Sequence, residues 1–466
     1  MRRKIEKDLL QWLNEGTPNV LVIEGIHGCG KSTAVRTFSK DKDLGYRVIW
    51  LDARKELKNI DITGRIGKLN YVRFLLEGCF HKKYAPGKYL TVIDHAEEMD
   101  ESTILSWIRL YEEEGCSPLI LINGGIPIQK EGLHKLKMHA MDFEEFLWAF
   151  GFTMREIAIA RACYQARCPV DDELHRRLME ALEVYVMIGG FPKVVAAFLK
   201  EESVYDAFTA QEVYRKIKQS MIGEIHGKPA QKKSERVLDT VSANLAGENK
   251  KFCLSLLEEK ATNRKYMPEI VRLEQLGGLG ICYNLLEPDF SEQAIARDTY
   301  ELFLPDIGWY VSEVNPRIRS HILTGDLETE GHAIWQSLFA DCMIKAGMGD
   351  RLYYFKRNTG LSVDFMIEGE HQKPVPVSMA NRRRNRSIER LVSSEEYGAY
   401  GIEGAVEFDD TNVEELDGRK VLRLPYYMEY FLAESIAKQQ QIKVRQHRVV
   451  YQMRPVRMER ELEKVR

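Results

Sequence analysis

Between residues 20 and 124 the chain alternates short apolar runs with longer stretches in which apolar residues recur every three or four positions. "VLVIE" (20–24), "YRVIWLDA" (46–53), "KYLTVID" (88–94) and "PLILING" (118–124) are nearly continuous apolar runs, as expected of strands buried on both faces. "STAVRTF" (32–38), "LNYVRFLLEGCF" (69–80) and "TILSWIRLYEEEG" (103–115) carry helical spacing. This alternation predicts a parallel sheet with helices on both faces, its functional edge at the strands' C-terminal ends. Further on, Phe252, Leu254, Leu256 and Leu257, then Met267, Ile270, Val271 and Leu273, suit two short amphipathic helices. Gly277–Gly278–Leu279–Gly280 then turns into "ICYNLL", a strand. "EIHGKPAQKKSE" (224–235) is the most linker-like stretch, polar with Gly and Pro.

Composition adds bounds rather than a function. A length of 466 residues predicts about three domains, and 44% hydrophobic against 29% charged residues supplies several cores. A net charge of −3 gives no global case for nucleic acid, so any such site is a local patch. The N-terminal "MRRKIEKDLLQWLNEG" is amphipathic rather than an apolar signal core, and no run approaches the roughly 18 apolar residues of a membrane span. No membrane partner and a cytoplasmic location are therefore expected. The eight cysteines form no CxxC pair, and Cys163 and Cys168, the closest couple, lack the companions of a zinc site.

The chemistry begins in "VLVIEGIHGCGKSTAVRTF". A strand, Gly25-x4-Gly30-Lys31-Ser32 and a helix follow one another in the order that a phosphate cradle requires. The loop Gly25, Ile26, His27, Gly28, Cys29, Gly30, Lys31, Ser32 and Thr33 closes backbone N–H groups around an anion, and the helix N-terminus adds partial positive charge. Lys31 is expected on the β- and γ-phosphates and the Ser32 hydroxyl on magnesium, so the cofactors expected are ATP and Mg2+. Asp94 closes a strand at the same sheet edge and is the second candidate magnesium ligand. Asn123, closing "LILIN", stands where a γ-phosphate sensor would, or is a plain strand-end asparagine.

Hydrolysis also needs a group that orients or deprotonates water. In ATPases of the additional-strand class a glutamate usually follows the metal aspartate at once; here His95 does, and carboxylates return at Glu97 and Glu98. His95, Glu97 and Glu98 are the candidates, each with a competing reading as a solvated residue opening the helix that follows.

From its start to about residue 436 the chain resembles a group of bacterial and archaeal AAA-type ATPases. These join an AAA domain to a winged-helix segment and a restriction-nuclease-like domain of unknown function. The resemblance lies in "MDFEEFLWAFG" (141–151), "YVMIGGFPKVVAAFL" (185–199), the stretch 242–285, "DFMIEG" (364–369) and "VLRLPYYMEYFL" (421–432). It implies an α/β fold: a P-loop AAA-type parallel sheet with helical lid, a winged helix, and a degenerate PD-(D/E)XK nuclease-like α/β domain. The implied layout is an ATPase core over 1–150, lid and linker over 151–235, winged helix over 236–290, nuclease-like domain over 291–436, and a basic tail over 437–466.

The departures from that family matter. Ile26 and His27 stand where its loop carries proline and arginine, and His95 where it carries an acid. Active relatives of the nuclease-like domain would use three acids and a lysine; the matching positions here are Trp335, Asp364, Pro376 and Ser378. One carboxylate does not assemble a magnesium site, so this domain is expected to be inactive. Beside it Arg382, Arg383, Arg384 and Arg386 form either a phosphate-binding patch or a solvated charge run. A slow ATPase whose nucleotide state positions the C-terminal domains is the first expectation. A non-hydrolysing ATP-gated module that binds nucleic acid or protein is the alternative, and a metal-dependent nuclease at Asp364 the third. A homo-oligomer and a protein partner both remain open.

Overall fold

A computed structural model of the chain describes residues 1–15, 19–57, 75–79, 81, 83, 87–114, 117–201, 207–314, 318–324, 331–358, 360–379, 386–416 and 420–441. Two compact units share the chain discontinuously. Met1–Met154, Glu183–Gly280 and Glu301–Leu327 form the first; Arg155–Leu182, Ile281–Tyr300 and Glu328–Arg466 form the second.

The first unit is built on five parallel strands: β1 (Val20–Glu24), β2 (Arg47–Asp52), β3 (Tyr89–Asp94), β4 (Leu119–Asn123) and β5 (His134–Lys137), in the order β2-β3-β4-β1-β5. Thus β4 is inserted between the strand that feeds the glycine loop and the strand that ends at Asp94. This is the additional-strand, AAA-type arrangement, and the parallel sheet expected from the apolar runs is present. Every residue of β1, β3 and β4 is buried, which explains why these strands read as continuous apolar runs. Under one face, helix Glu101–Glu114 contributes Trp107, Ile108 and Tyr111 to a core with Val20, Val22, Ile93 and Leu121. Each such burial contributes on the order of 1.5–3 kcal/mol. The Tyr111 hydroxyl donates to Thr91 Oγ1 at 2.8 Å, so two buried hydroxyls satisfy each other. The helix expected over 69–80 is described only at Leu75–Cys79, a single wide helical turn; the rest lies outside the described residues.

Helices complete this unit. Asp142 caps Phe143–Phe150 by accepting the Glu145 N–H at 2.9 Å, and Gly151, at φ 101°, ends it. The Gly189–Gly190 turn between two helices is tied down by Asp306, a fully buried carboxylate. It accepts from the Gly190 N–H (2.8 Å), the Tyr214 hydroxyl (3.1 Å) and the Trp309 N–H (3.2 Å).

Two sequence expectations are corrected here. The stretch 224–235 is not simply a linker, because helix Lys228–Ala246 starts within it. Pro229 sits in the first turn, where its missing N–H costs nothing, and Ser234, Val237 and Leu238 turn inward. Around 252–257 there is one 3-10 turn, Leu254–Leu256, in place of an amphipathic helix. The second expected helix is present as Asn263–Gln275, which buries Tyr266, Ile270 and Leu273 ahead of strand β6 (Gly280–Leu285).

The second unit contains a sheet of order β10-β11-β12-β14-β13, made of β10 (Phe365–Glu368), β11 (Pro374–Met379), β12 (Ala405–Asp409), β13 (Glu414–Leu416) and β14 (Val421–Pro425). β11, β12 and β14 run parallel; β10 and β13 are antiparallel to their neighbours at the two edges. Helix Gly331–Lys345 is buried along most of its length, which suits its lack of a polar face. A smaller sheet follows the order β7-β6-β8-β9, with β7 (Ile295–Phe303), β8 (Tyr353–Lys356) and β9 (Ser362–Val363).

Candidate nucleotide site

Where β1 ends, the chain turns through Gly25 and enters helix Lys31–Phe38 at Gly30 (φ 100°). Gly25 is required by close approach: a Cβ there would lie 2.0 Å from the Met138 carbonyl oxygen. Ile26 and Cys29 are buried, so within this loop their side chains hold the backbone in shape. Thr33 is exposed on the first turn. The Lys31 ammonium donates to the carbonyls of Gly25 (2.6 Å) and Ile26 (3.0 Å), so the cation lies on the loop from inside. An anion in the loop would compete for that ammonium.

Ser32 and Asp94 meet as their spacing in the sheet predicts: the hydroxyl donates to Asp94 Oδ1 at 2.7 Å. Asp94 also receives the His95 N–H at 3.1 Å, and Arg36 lies 3.9 Å from its Oδ2. Two hard oxygens so close suit magnesium, which takes one or two protein oxygens and fills its shell with water and phosphate. The residues present therefore fit the ion.

Past Asp94 the structure separates the three water-handling candidates. His95 adopts a left-handed conformation (φ 60°, ψ 47°) at the start of the turn Ala96–Glu98. That conformation is uncommon outside glycine and turns the chain so that Glu97 points inward while Glu98 is exposed. The Glu97 side chain is 4% exposed; it accepts the Gly124 N–H at 2.7 Å and faces His95 Nδ1 at 3.0 Å. Burial alone would raise its pKa, but the His95 and Gly124 bonds outweigh burial and hold it at about 2. The same bond to Glu97 raises the His95 pKa, against burial, with Asp94 assisting. His27 from the glycine loop reaches this corner: its ring and Glu97 both abut Gly124, and its buried Nε2 lies 3.6 Å from Glu224 Oε1.

Asn123 ends β4 at the expected edge, yet its amide is occupied in the next turn. Nδ2 donates to the Ile126 carbonyl at 2.9 Å and Oδ1 accepts the Gly125 N–H at 3.2 Å. Later residues of this unit also reach the loop: Phe191 and Ile217 pack against Gly28, and Gly277 lies against Ile26.

In the second unit Asp364 is a hub of donors. Gln336 Nε2 (2.6 Å), His332 Nε2 (3.0 Å), Ser378 Oγ (3.0 Å) and the Met379 N–H (2.8 Å) all converge on it. Trp335 stacks on Tyr426 at 4.0 Å, and Pro376 pairs opposite Met366 in the β10–β11 hairpin. Among the described residues no cluster of three or more His, Cys, Asp or Glu is arranged to hold a metal. Arg382, Arg383 and Arg384 lie outside the described residues, as does the Arg386 side chain, although Arg386 opens helix Arg386–Ser393. The tail from 442 is also outside them. No helix among the described residues is by itself long and apolar enough to cross a membrane.

No protein-family model and no curated protein matches this sequence. Among solved structures the chain is similar to the Walker-type ATPase paby2304 of Pyrococcus abyssi, at 14% identity, 67% coverage of this chain, 95% of that one, and a TM-score of 0.39. It is also similar to Drosophila ORC bound to DNA (16% identity, 64% and 91% coverage, TM-score 0.28). AMPPCP-bound DnaA from Aquifex aeolicus is a third (11% identity, 59% and 89% coverage, TM-score 0.27). At such TM-scores these likenesses carry no weight of their own. The class rests on the chain's own geometry: a parallel sheet with β4 inserted between β1 and β3, a glycine loop after β1 and an aspartate closing β3. That is an AAA-type P-loop fold.

Proposed function

We propose that this chain binds Mg-ATP in the loop Gly25–Thr33 and hydrolyses it slowly. The observation that carries this reading is the 2.7 Å bond from Ser32 to Asp94 beside the ammonium of Lys31. Lys31 holds the β- and γ-phosphates, while Ser32 and Asp94 hold magnesium, which would neutralise phosphate charge when bound. Glu97 is the carboxylate that orients water. A base is effective when its pKa lies near the working pH, and Glu97 is held at about 2, so its pull on a proton is weak. Slow turnover follows from that pairing with His95, and neither Glu98, which is exposed, nor Asn123, whose amide is engaged, is needed for it.

The loop's contacts with Phe191, Ile217 and Gly277 support a role in which nucleotide state is passed to the lid and to a winged-helix-like segment. The later α/β unit serves as an inactive nuclease-like domain, with the arginines at 382–386 as its contact to nucleic acid or a protein partner. The test is titration of labelled ATP and phosphate release for the wild type and Lys31→Ala. Saturable uptake and slow release by the wild type, both lost in the variant, are expected. A wild type that takes up no ATP at millimolar concentration overturns the reading; uptake without release leaves the ATP-gated binding module in its place.

A further inference from the structure

Arg3 lies two residues before the first helix, Ile5–Glu15, and is only 7% exposed. Its guanidinium is spent on three acceptors. Nη1 donates to the Cys29 carbonyl at 2.7 Å, Nη2 to the His139 carbonyl at 2.7 Å, and Nε to Glu145 Oε2 at 3.0 Å. The other oxygen of Glu145 accepts the Lys4 N–H at 2.6 Å, and the Lys4 ammonium pairs with Asp142 and Glu144. The N-terminal segment is thereby fastened to the start of helix Phe143–Phe150, with Arg3 reaching from that anchor to the underside of the glycine loop.

The consequence follows from peptide geometry. The Cys29 carbonyl and the Gly30 N–H belong to one planar trans unit and point in opposite directions. A donor that takes the carbonyl from below turns the Gly30 N–H to the other side, into the cradle. An unsupported carbonyl would instead be free to rotate its lone pairs toward a bound anion, and a buried one left without a donor is costly. We infer that Arg3 is a positioning residue for the phosphate loop, acting on nucleotide through the Cys29 carbonyl rather than by touching it. This rests on the loop's being the nucleotide cradle. Only a planar fork meets three acceptors so disposed, so lysine does not replace it.

The test uses the full chain with Arg3→Ala and Arg3→Lys, and with Arg2→Ala as control, since Arg2 is exposed and lies over the Trp148 ring. ATP and adenosine affinities are measured by competition against a fluorescent nucleotide. Both Arg3 variants are expected to bind ATP about 10-fold or more weakly, the worth of one charge-assisted hydrogen bond, with adenosine affinity and the Arg2→Ala control unchanged. Millimolar guanidinium is expected to restore ATP binding to Arg3→Ala. Should Arg3→Ala not fold, Arg3→Lys decides, because it keeps a cation for Glu145 and loses only the fork. ATP affinity of Arg3→Lys equal to wild type overturns the inference, as does equal loss of ATP and adenosine without rescue. Absence of ATP binding by the wild type itself removes the cradle, and the inference with it.

Discussion

The Ser32 hydroxyl donates to Asp94 Oδ1, joining the first turn of the loop helix to the last residue of strand β3. Two oxygens brought together from positions 32 and 94 define where a cation would sit. Asp94→Ala is therefore expected to weaken ATP binding on the order of 10–100-fold in magnesium while changing it little in EDTA. Equal affinities for the variant and the wild type in magnesium would remove Asp94 from the ion's shell.

Glu97 and His95 should set both the rate and its pH dependence. Glu97→Gln keeps the Gly124 contact and removes the carboxylate; turnover is expected to fall on the order of 10²-fold with ATP affinity retained. His95 has a pKa above its ordinary 6.5, so its stabilising pairing is complete below that value and is lost as pH rises through the raised one. Glu97, lowered to about 2 from 4.5, contributes stability above 4.5 that is lost as pH falls through about 2. The pair is thus strongest at mildly acidic pH. Phosphate release should rise as His95 loses its proton and frees the carboxylate, and His95→Asn, which tolerates the left-handed backbone, should flatten that rise. A Glu97→Gln protein with wild-type turnover would refute the assignment.

The loop, its helix and the strand ending at Asp94 were legible in the sequence because each signal is local: glycine spacing, an apolar run, a polar residue at its end. The place of β4 between β1 and β3 was not, since strand order depends on contacts between residues about 30 or 100 apart in register, such as Ile93 with Leu121 and Val20 with Leu119. Arg3 gave no signal of its own within the amphipathic N-terminal stretch, because its three partners lie 26, 136 and 142 residues away. Periodicity misled at 252–257, where apolar spacing exists but Leu256 is 58% exposed and the chain makes only a 3-10 turn. Composition misled at 224–235, where polar residues cover the outer face of a helix start.

Asp364 should matter for stability and not for nucleic-acid cleavage. Removing its carboxylate leaves Gln336, His332, Ser378 and the Met379 N–H without their common acceptor. Asp364→Ala is expected to destabilise the second unit by about 2–4 kcal/mol, read as a lowered urea midpoint, and Asp364→Asn by less. Plasmid incubated with the wild type in magnesium or manganese should stay intact. Cutting that Asp364→Ala abolishes would return this centre to an active nuclease.

Glu429 presents the opposite problem, a carboxyl with no donor among the described residues. It is fully buried, neither oxygen has a hydrogen-bond partner among those residues, and burial, with Asp341 nearby, raises its pKa well above the ordinary 4.5. The folded protein therefore keeps this proton where the unfolded chain gives it up. The linked stability is present below pH 4.5 and declines as pH rises toward the folded value. Glutamine has the same shape and no charge to suppress, so Glu429→Gln is expected to stabilise the protein by about 1–3 kcal/mol near pH 8 and to have little effect near pH 5. Urea midpoints at the two pH values measure this directly; a variant no more stable than wild type at the higher pH would mean that Glu429 finds a partner there and stays ionised.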